Sequence, residues 1–94
     1  MEVNGYTIEP DADLTGANLI SADLSGAQLT GACLVRAFLT RVNLIGADLY
    51  KATLGDANFT SANLVDAHLS EAWLREGVIC LSECFKCSHR FLEN

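Results

Sequence analysis

The chain has 94 residues, a hydrophobic fraction of 50% and a net charge of −6. This length allows one domain or one short repeat array and excludes enzyme folds that need two lobes. The apolar content argues against disorder, the short apolar runs against a membrane span, and the negative charge against nucleic acid or an anionic membrane as a partner.

Residues 1–11 are predicted to form an N-terminal cap strand. Val3, Tyr6 and Ile8 alternate around polar residues until Pro10 ends the run, as in a short strand or extended lid. The first ten residues lack the basic and apolar regions of an export signal. We therefore expect a cytoplasmic, reducing location, in which the four cysteines are thiols.

Residues 12–81 contain a repeat of five residues. Starting at Leu14, every fifth residue through Ile79 is large and apolar, which makes fourteen positions without a miss. Two residues before each of them lies Ala, except at Val42 and Gly77. The unit is Ala-(Asp/Asn)-Leu-x-x.

A period of five fits neither a helix nor a flat strand. On a helix the leucines would spiral around the whole surface, and on a strand they would alternate between the two faces. The chain must instead bend once per repeat, so that Ala and Leu point inward and the residue between them points outward. Four corners would then close a square coil of about twenty residues, stabilised mainly by stacked leucines.

This unit resembles the pentapeptide repeat family over residues 12 to 81. The resemblance implies an all-β solenoid, a right-handed quadrilateral β-helix, here of about 3.5 coils with a short C-terminal capping helix. Two residues depart from the pattern at the small position, Val42 and Gly77. At Val42 we expect the coil to be slightly wider, and near Gly77 we expect the regular coil to end. The outward Asp/Asn position departs from the pattern at Gln28, Cys33, Phe38, Thr53, His68, Trp73 and Val78.

Residues 82–94 are predicted to form the C-terminal capping helix. After Ile79 the apolar residues change to spacings of three, four and seven, which favour an amphipathic helix over residues 82 to 92 that plugs the last coil. The same end could instead form a homodimer, and the sequence leaves both arrangements open.

Cysteine and histidine residues gather near the C-terminus, at Cys80, Cys84, Cys87 and His89. Zinc uses such ligands, but four of them within ten residues would have difficulty surrounding one ion. The alternative, which we prefer, is that the three cysteines form the small apolar stripe of the capping helix. We therefore assign no metal, cofactor-binding or catalytic residue. Cys33, which is outward with no histidine nearby, is interpreted as an inert thiol.

Exposed aromatic residues are the better indication of function. Phe38 and Trp73 take outward positions, where large side chains often mark contact surfaces. His68 is expected to stack on Asp48, twenty residues earlier, as an exposed pair without a catalytic role. Arg36, Arg41 and Lys51 occupy corners in the middle of the array, and the acidic residues Asp56, Asp66, Glu71 and Glu76 occupy corners in its second half.

These features predict a non-catalytic protein-interaction or structural module of bacterial type, with an unidentified protein partner and no small-molecule substrate, because a leucine-filled interior leaves no pocket. One alternative comes from the resemblance: some family members imitate duplex DNA and bind DNA gyrase. The acidic coils favour it, but a rod roughly 17 Å tall matches only about five base pairs. Metal binding through the C-terminal cysteines is the other alternative.

Overall fold

The computed structural model of the chain describes residues 1–74 together with residues 92 and 93. Its strands are β1 (Glu2–Val3), β2 (Tyr6–Thr7), β3 (Trp73–Leu74) and β4 (Leu92–Glu93). No helix is present in this part of the chain. Between β2 and β3 the backbone winds as a coil, and single-residue bridges connect successive turns of it.

Each bridge joins two residues that are twenty positions apart and run in parallel. The amide of Leu14 donates to the carbonyl of Cys33 at 2.7 Å, and the amide of Cys33 donates to the carbonyl of Ala12 at 2.9 Å. The same ladder recurs along the array and confirms the twenty-residue period predicted from the spacing. The two shorter principal extents are nearly equal, 20 and 19 Å, as a square section requires.

The bridges define four faces by their outward residues. The first face carries Asp13, Cys33, Thr53 and Trp73; the second carries Asn18, Phe38 and Asn58; the third carries Asp23, Asn43 and Asn63; and the fourth carries Gln28, Asp48 and His68.

Alanine and leucine fill the interior. The leucine-type positions from Leu14 to Leu69 are at most 3% exposed, and this includes Phe59, whose ring is fully buried. Val42 is also fully buried, while the alanines stacked above and below it, Ala22 and Ala62, are 7% and 5% exposed, more than the other buried alanines. The column therefore holds a residue larger than alanine at this position, and the alanine on either side of it is slightly exposed.

A tight turn forms every corner from residue 9 to residue 72. In each, the amide of the next alanine-type residue donates to the carbonyl of the preceding leucine-type residue, as from Ala17 to Leu14 at 3.0 Å. The second corner residue has positive φ and the first does not, which is the pattern of a type II turn. Pro10 sits at the first corner position before Asp11, where its fixed φ fits this turn.

The N-terminal segment forms a hairpin of two strands, whereas a single cap strand was predicted. β1 pairs antiparallel with β2, with Val3 opposite Tyr6. The connecting Asn4 and Gly5 have φ of 54° and 86°, and two positive values in an Asn-Gly loop are typical of a type I′ turn. Ile8 follows the hairpin and is buried against the first coil, so this segment does cover that end.

β4 lies parallel to β3, with Trp73 opposite Leu92 and Leu74 opposite Glu93. The prediction of a capping helix is therefore wrong at residues 92 and 93, because these two residues form a strand. Backbone pairing with the distant β3 prevails there over the helical spacing of nearby apolar side chains. The remainder of that prediction, residues 82–91 and residue 94, lies outside the described residues.

Candidate interaction surfaces

The outward asparagine and aspartate residues stabilise the corners that follow them. The side-chain oxygen of Asn43 accepts from the amide of Ile45 at 3.0 Å, and that of Asn58 accepts from the amide of Thr60 at 3.0 Å. The same bond occurs at Asp13, Asn18, Asp23, Asp48 and Asn63. These side chains occupy the outward position because they satisfy a corner amide, as in an Asx turn.

At two of these positions the bond also affects ionisation. Asp13 accepts from the hydroxyl and the amide of Thr15, and Asp23 accepts from the same groups of Ser25. These hydrogen bonds to the charged form, chiefly the one from the hydroxyl, lower the pKa of each carboxyl below its ordinary value of 3.8.

Cys33 lies on the first face between hydroxyl-bearing neighbours. Its sulfur is 3.2 Å from the hydroxyl oxygen of Thr15, and its bridge partner in the next coil is Thr53. Mainly through the Thr15 contact, the pKa of the thiol is lowered. Neither hydroxyl-bearing neighbour supplies an imidazole, and the carboxylate of Asp13, the bridge partner in the preceding coil, opposes ionisation of the thiol.

His68 stacks on Asp48 as the spacing predicted. The imidazole Nδ1 is 3.4 Å from Asp48 Oδ1, with side-chain exposures of 40% and 33%. The imidazole ring stacks on Tyr50 with centroids 5.6 Å apart, and its Nε2 lies 3.1 Å from the Ser70 hydroxyl. Such a half-exposed pair, screened by solvent, contributes little to stability.

Corner residues beside this pair extend it into a cluster that the sequence reasoning missed. Lys51 Nζ lies 5.4 Å from the centroid of the Tyr50 ring, and the Tyr50 hydroxyl donates to Glu71 at 3.5 Å. The sequence contains the pattern that predicts this cluster. Corner residues twenty positions apart stack on each other, which places Tyr50 over Ser70 and Lys51 over Glu71.

The exposed apolar side chains do not form one patch. Phe38 is 49% exposed on the second face, and Trp73 is 45% exposed on the first face, nearly two coils away. Ile20 and Ile45 are also exposed, each at a corner of the coil. The two aromatic residues singled out from the sequence are thus both on the surface, but at separate places.

Phe38 differs from Trp73 in what flanks it. Arg36 lies at the corner before Phe38 and Arg41 at the corner after it, and both are exposed. Arg41 Nε donates to Ser21 Oγ in the coil above at 3.4 Å. Among the residues that the structure describes, neither arginine pairs with a carboxylate.

The predicted acidic corners lie in different directions. Asp56, Asp66 and Glu71 are exposed at three corners of one coil, so they do not align as a single row of charge. Glu76, like Gly77 and Val78, lies outside the described residues.

The described residues contain no cluster of three metal-binding side chains. The C-terminal cysteine and histidine cluster lies outside the described residues; its members are Cys80, Cys84, Cys87 and His89. The packing of its cysteines in place of zinc binding therefore stays a prediction. In the same part of the chain no helix is long and apolar enough to span a bilayer.

Stacked square coils with a five-residue unit define a class of β-solenoid, and comparison with known proteins gives the family. The family model for pentapeptide repeats matches in eight copies, over residues 11–44, 22–60 and 43–76. The chain therefore belongs to the pentapeptide repeat family, whose fold is the right-handed β-helix. No curated protein matches it significantly.

Three solved structures illustrate the similarity. HetL, a pentapeptide repeat protein involved in heterocyst differentiation regulation in Nostoc sp. strain PCC 7120, is 36% identical, with a TM-score of 0.53, over 74% of this chain and 36% of HetL. Rfr23 from Cyanothece 51142 is 41% identical over 80% of this chain and 53% of Rfr23, with a TM-score of 0.39. The Nostoc protein alr5209 is 32% identical over 71% of this chain and 68% of alr5209, with a TM-score of 0.43. The chain thus spans about a third of HetL and about half of Rfr23.

Proposed function

We propose that this chain is a non-catalytic protein-interaction module that presents the flat faces of its coil to another protein. The observation that carries the proposal is the division between interior and surface. The inward side chains from Leu14 to Leu69 are almost completely buried, so this part of the coil has no internal room for a substrate. Chemical variety is confined to outward and corner positions.

The backbone supports the same proposal. A ladder of hydrogen bonds twenty residues apart holds each outward residue at a defined place on its face. Rigid presentation lowers the entropic cost of binding, which favours recognition by a preformed surface. The regulatory role stated for HetL is compatible with a module that works by binding.

The finer architecture belongs to the same proposal. We infer that the repeat continues to residue 81 as about 3.5 coils and that the C-terminal segment covers the last coil. A cytoplasmic location is part of the same proposal, and so is the absence of direct nucleic-acid binding, which the net charge of −6 supports. A C-terminal segment that covers the last coil would prevent a homodimer through that coil end. The mass of the chain in solution distinguishes the covered monomer from the homodimer.

Affinity capture with the tagged full chain tests the proposal. The Leu44→Lys variant, in which a charge replaces a fully buried side chain, is the unfolded control. We expect at least one protein to be enriched by the native chain over this control, and its recovery to fall when outward residues of one face, but not of the opposite face, are substituted. If no protein is enriched over the control, or if substitutions on every face leave recovery unchanged, the proposal is wrong.

A further inference from the structure

The middle coil differs in charge from its neighbours. Residues 32–51 contain three basic residues and one acidic residue, a net charge of +2. The coil before it, residues 12–31, contains two acidic residues and no basic one, and the coil after it, residues 52–71, contains three acidic residues and no basic one. A band of positive charge thus separates two acidic coils in a chain of net charge −6. Because hydrogen bonds join it directly to an acidic coil on each side, this band is one coil deep and is a local feature of the surface.

Two of the three bases frame an exposed aromatic ring. Arg36 and Arg41 occupy the corners on either side of Phe38, and all three side chains are exposed. Ile20, 40% exposed, lies one coil above the corner of Arg41. This arrangement of residues Ile20, Arg36, Phe38 and Arg41 is called here the Arg-Phe-Arg surface.

Both guanidinium groups retain capacity for a partner. The bond to Ser21 occupies one of five donors of Arg41, and it ties the arginine to the coil above. Arg36 lies over Asp56 in the corner column, yet the two do not form an ion pair. Exposed arginine beside an aromatic ring is the composition typical of energetic centres in protein interfaces.

Phe38 also occupies its position at a local cost. At the equivalent position of the neighbouring coils, Asn18 and Asn58 satisfy the amide of the corner that follows. A phenylalanine cannot accept this hydrogen bond, so folding alone would favour asparagine there. An exposed ring placed where the fold favours a small polar residue indicates a role in binding.

We propose that the Arg-Phe-Arg surface binds a protein segment in which an apolar side chain is flanked on both sides by carboxylates. Phe38 and Ile20 would pack against the apolar side chain, and the guanidinium groups would bind the carboxylates, which they can hold through two parallel hydrogen bonds. This inference rests on the proposed interaction function and specifies one surface for it. A polynucleotide fits less well, since this face offers only two cations and the acidic coils on both sides would repel a long polyanion.

Synthetic peptides test the inference with the full chain. One set carries a Leu, Ile or Phe between Asp or Glu residues, and a matched set carries Asn or Gln in place of the acids. We expect the acidic set to bind with a Kd below about 1 mM and the amide set to bind at least about tenfold more weakly. Binding of the acidic set should weaken as salt is raised toward about 1 M.

Variants assign the binding to the surface. Arg36→Gln with Arg41→Gln, and separately Phe38→Asn, should each weaken binding by about tenfold or more. Phe38→Asn restores the acceptor present at Asn18 and Asn58, so circular dichroism should show an unchanged fold. Lys51→Gln and Trp73→Asn are the matched controls, because they remove a corner base and an exposed aromatic residue on other parts of the coil, and should leave the peptide affinity unchanged.

Several outcomes would overturn the inference. These are no peptide binding to the native chain, equal binding of the acidic and amide sets, equal effects of the control variants, or tighter binding of a short single-stranded DNA than of any peptide. Self-association that the surface variants abolish would also overturn it, by making a second copy of the chain the occupant. Capture of a protein partner that persists in the surface variants would refute this inference alone and leave the proposed function standing.

Discussion

The second corner residue of each repeat has a left-handed backbone conformation that costs nothing only for glycine. Glycine takes this position at Gly16, Gly26, Gly31 and Gly46, but nine other corners use a residue with a side chain, with φ between 57° and 63°. The left-handed conformation costs such a residue roughly 1–2 kcal/mol. The stacked ladder therefore holds a series of corners in a conformation that their own side chains disfavour.

Exchanging residue types at two corners tests this cost. Ser61→Gly should raise the free energy of unfolding by about 1 kcal/mol, and Gly26→Ser should lower it by about the same amount. A Cβ at Gly26 meets open space, so the effect there comes from the backbone conformation alone. Urea unfolding of both variants measures it, and a loss of stability in Ser61→Gly would contradict the account.

The hydrogen bond from the corner amide to the outward side chain can also be tested by substitution of a single residue. Asn43→Ala should destabilise the chain by about 1 kcal/mol, because the amide of Ile45 loses its acceptor. Asn43→Asp keeps an oxygen in the same place and should stay near the native stability. If thermal melts show both variants equally destabilised, the acceptor is not what matters at this position.

The lowered pKa values of Asp13 and Asp23 make stability depend on pH. Because both carboxyls ionise more readily in the folded chain, their contribution is complete above the ordinary value of 3.8 and is lost as the pH falls below it through the lowered values. The double variant Asp13→Asn, Asp23→Asn keeps the acceptor oxygens but cannot titrate. Melting temperatures between about pH 5 and pH 2 should fall less steeply for this variant than for the native chain. Parallel curves would show that the two carboxyls do not contribute.

Residue-scale features were only partly predictable from the sequence. The inward alanine and leucine columns followed from the spacing, since a five-residue period has few other solutions. The accepting role of the outward Asn and Asp was not predicted, because it depends on where a corner amide points. Lysine, arginine and glutamate at left-handed corners such as Lys51 and Glu71 could not be predicted either, since local preference disfavours them and only the stacked coils impose that conformation.

At the scale of elements, the N-terminal hairpin closes part of the first coil. Asn18 has no coil above it, and the hairpin takes the place of one: the amide of Asn18 donates to the Tyr6 hydroxyl at 3.2 Å, and the side chain of Asn4 donates to the carbonyl of Asn18 at 3.3 Å. Tyr6 also packs against the core. The hairpin thus satisfies edge groups that would otherwise invite pairing with another chain.

Removing one hydroxyl tests the role of the hairpin. Tyr6→Phe should lower the free energy of unfolding by about 1 kcal/mol and speed hydrogen exchange at the Asn18 amide in particular. Tyr50→Phe is the matched control, because the Tyr50 hydroxyl donates to the side chain of Glu71, whereas the Tyr6 hydroxyl accepts from a backbone amide. Unchanged exchange at Asn18 would mean that solvent serves this amide equally well.

The elements at the two ends were predicted less accurately than the repeat. The Asn4-Gly5 pair is a strong hairpin signal, but the alternation from Val3 to Ile8 runs across it and favoured one strand. At the other end, the helical spacing around Leu92 is a local pattern, while the pairing of Leu92 with Trp73 is a contact between distant parts of the chain. Local periodicity cannot report such a contact.

At the scale of the whole molecule, the repeat separates stability from recognition. Ala and Leu columns stabilise the coil whatever the outward residues are, so those residues are free to differ between faces. The sequence alone identified Phe38 and Trp73 as exposed aromatic residues, but it did not distinguish them. The difference lies in Arg36 and Arg41, which occupy the corners at the two ends of the face that carries Phe38.

The fold depends on the burial of the leucine column, which substitutions at two adjacent residues test directly. Leu44 is fully buried, and Asn43 beside it is only partly buried. We predict that thermal unfolding followed by circular dichroism will show no cooperative transition for Leu44→Lys, because an unpaired charge in the interior costs several kcal/mol. Asn43→Lys should melt within a few degrees of the native chain, losing about 1 kcal/mol with its corner hydrogen bond. A Leu44→Lys variant that melts at the native temperature would contradict the account.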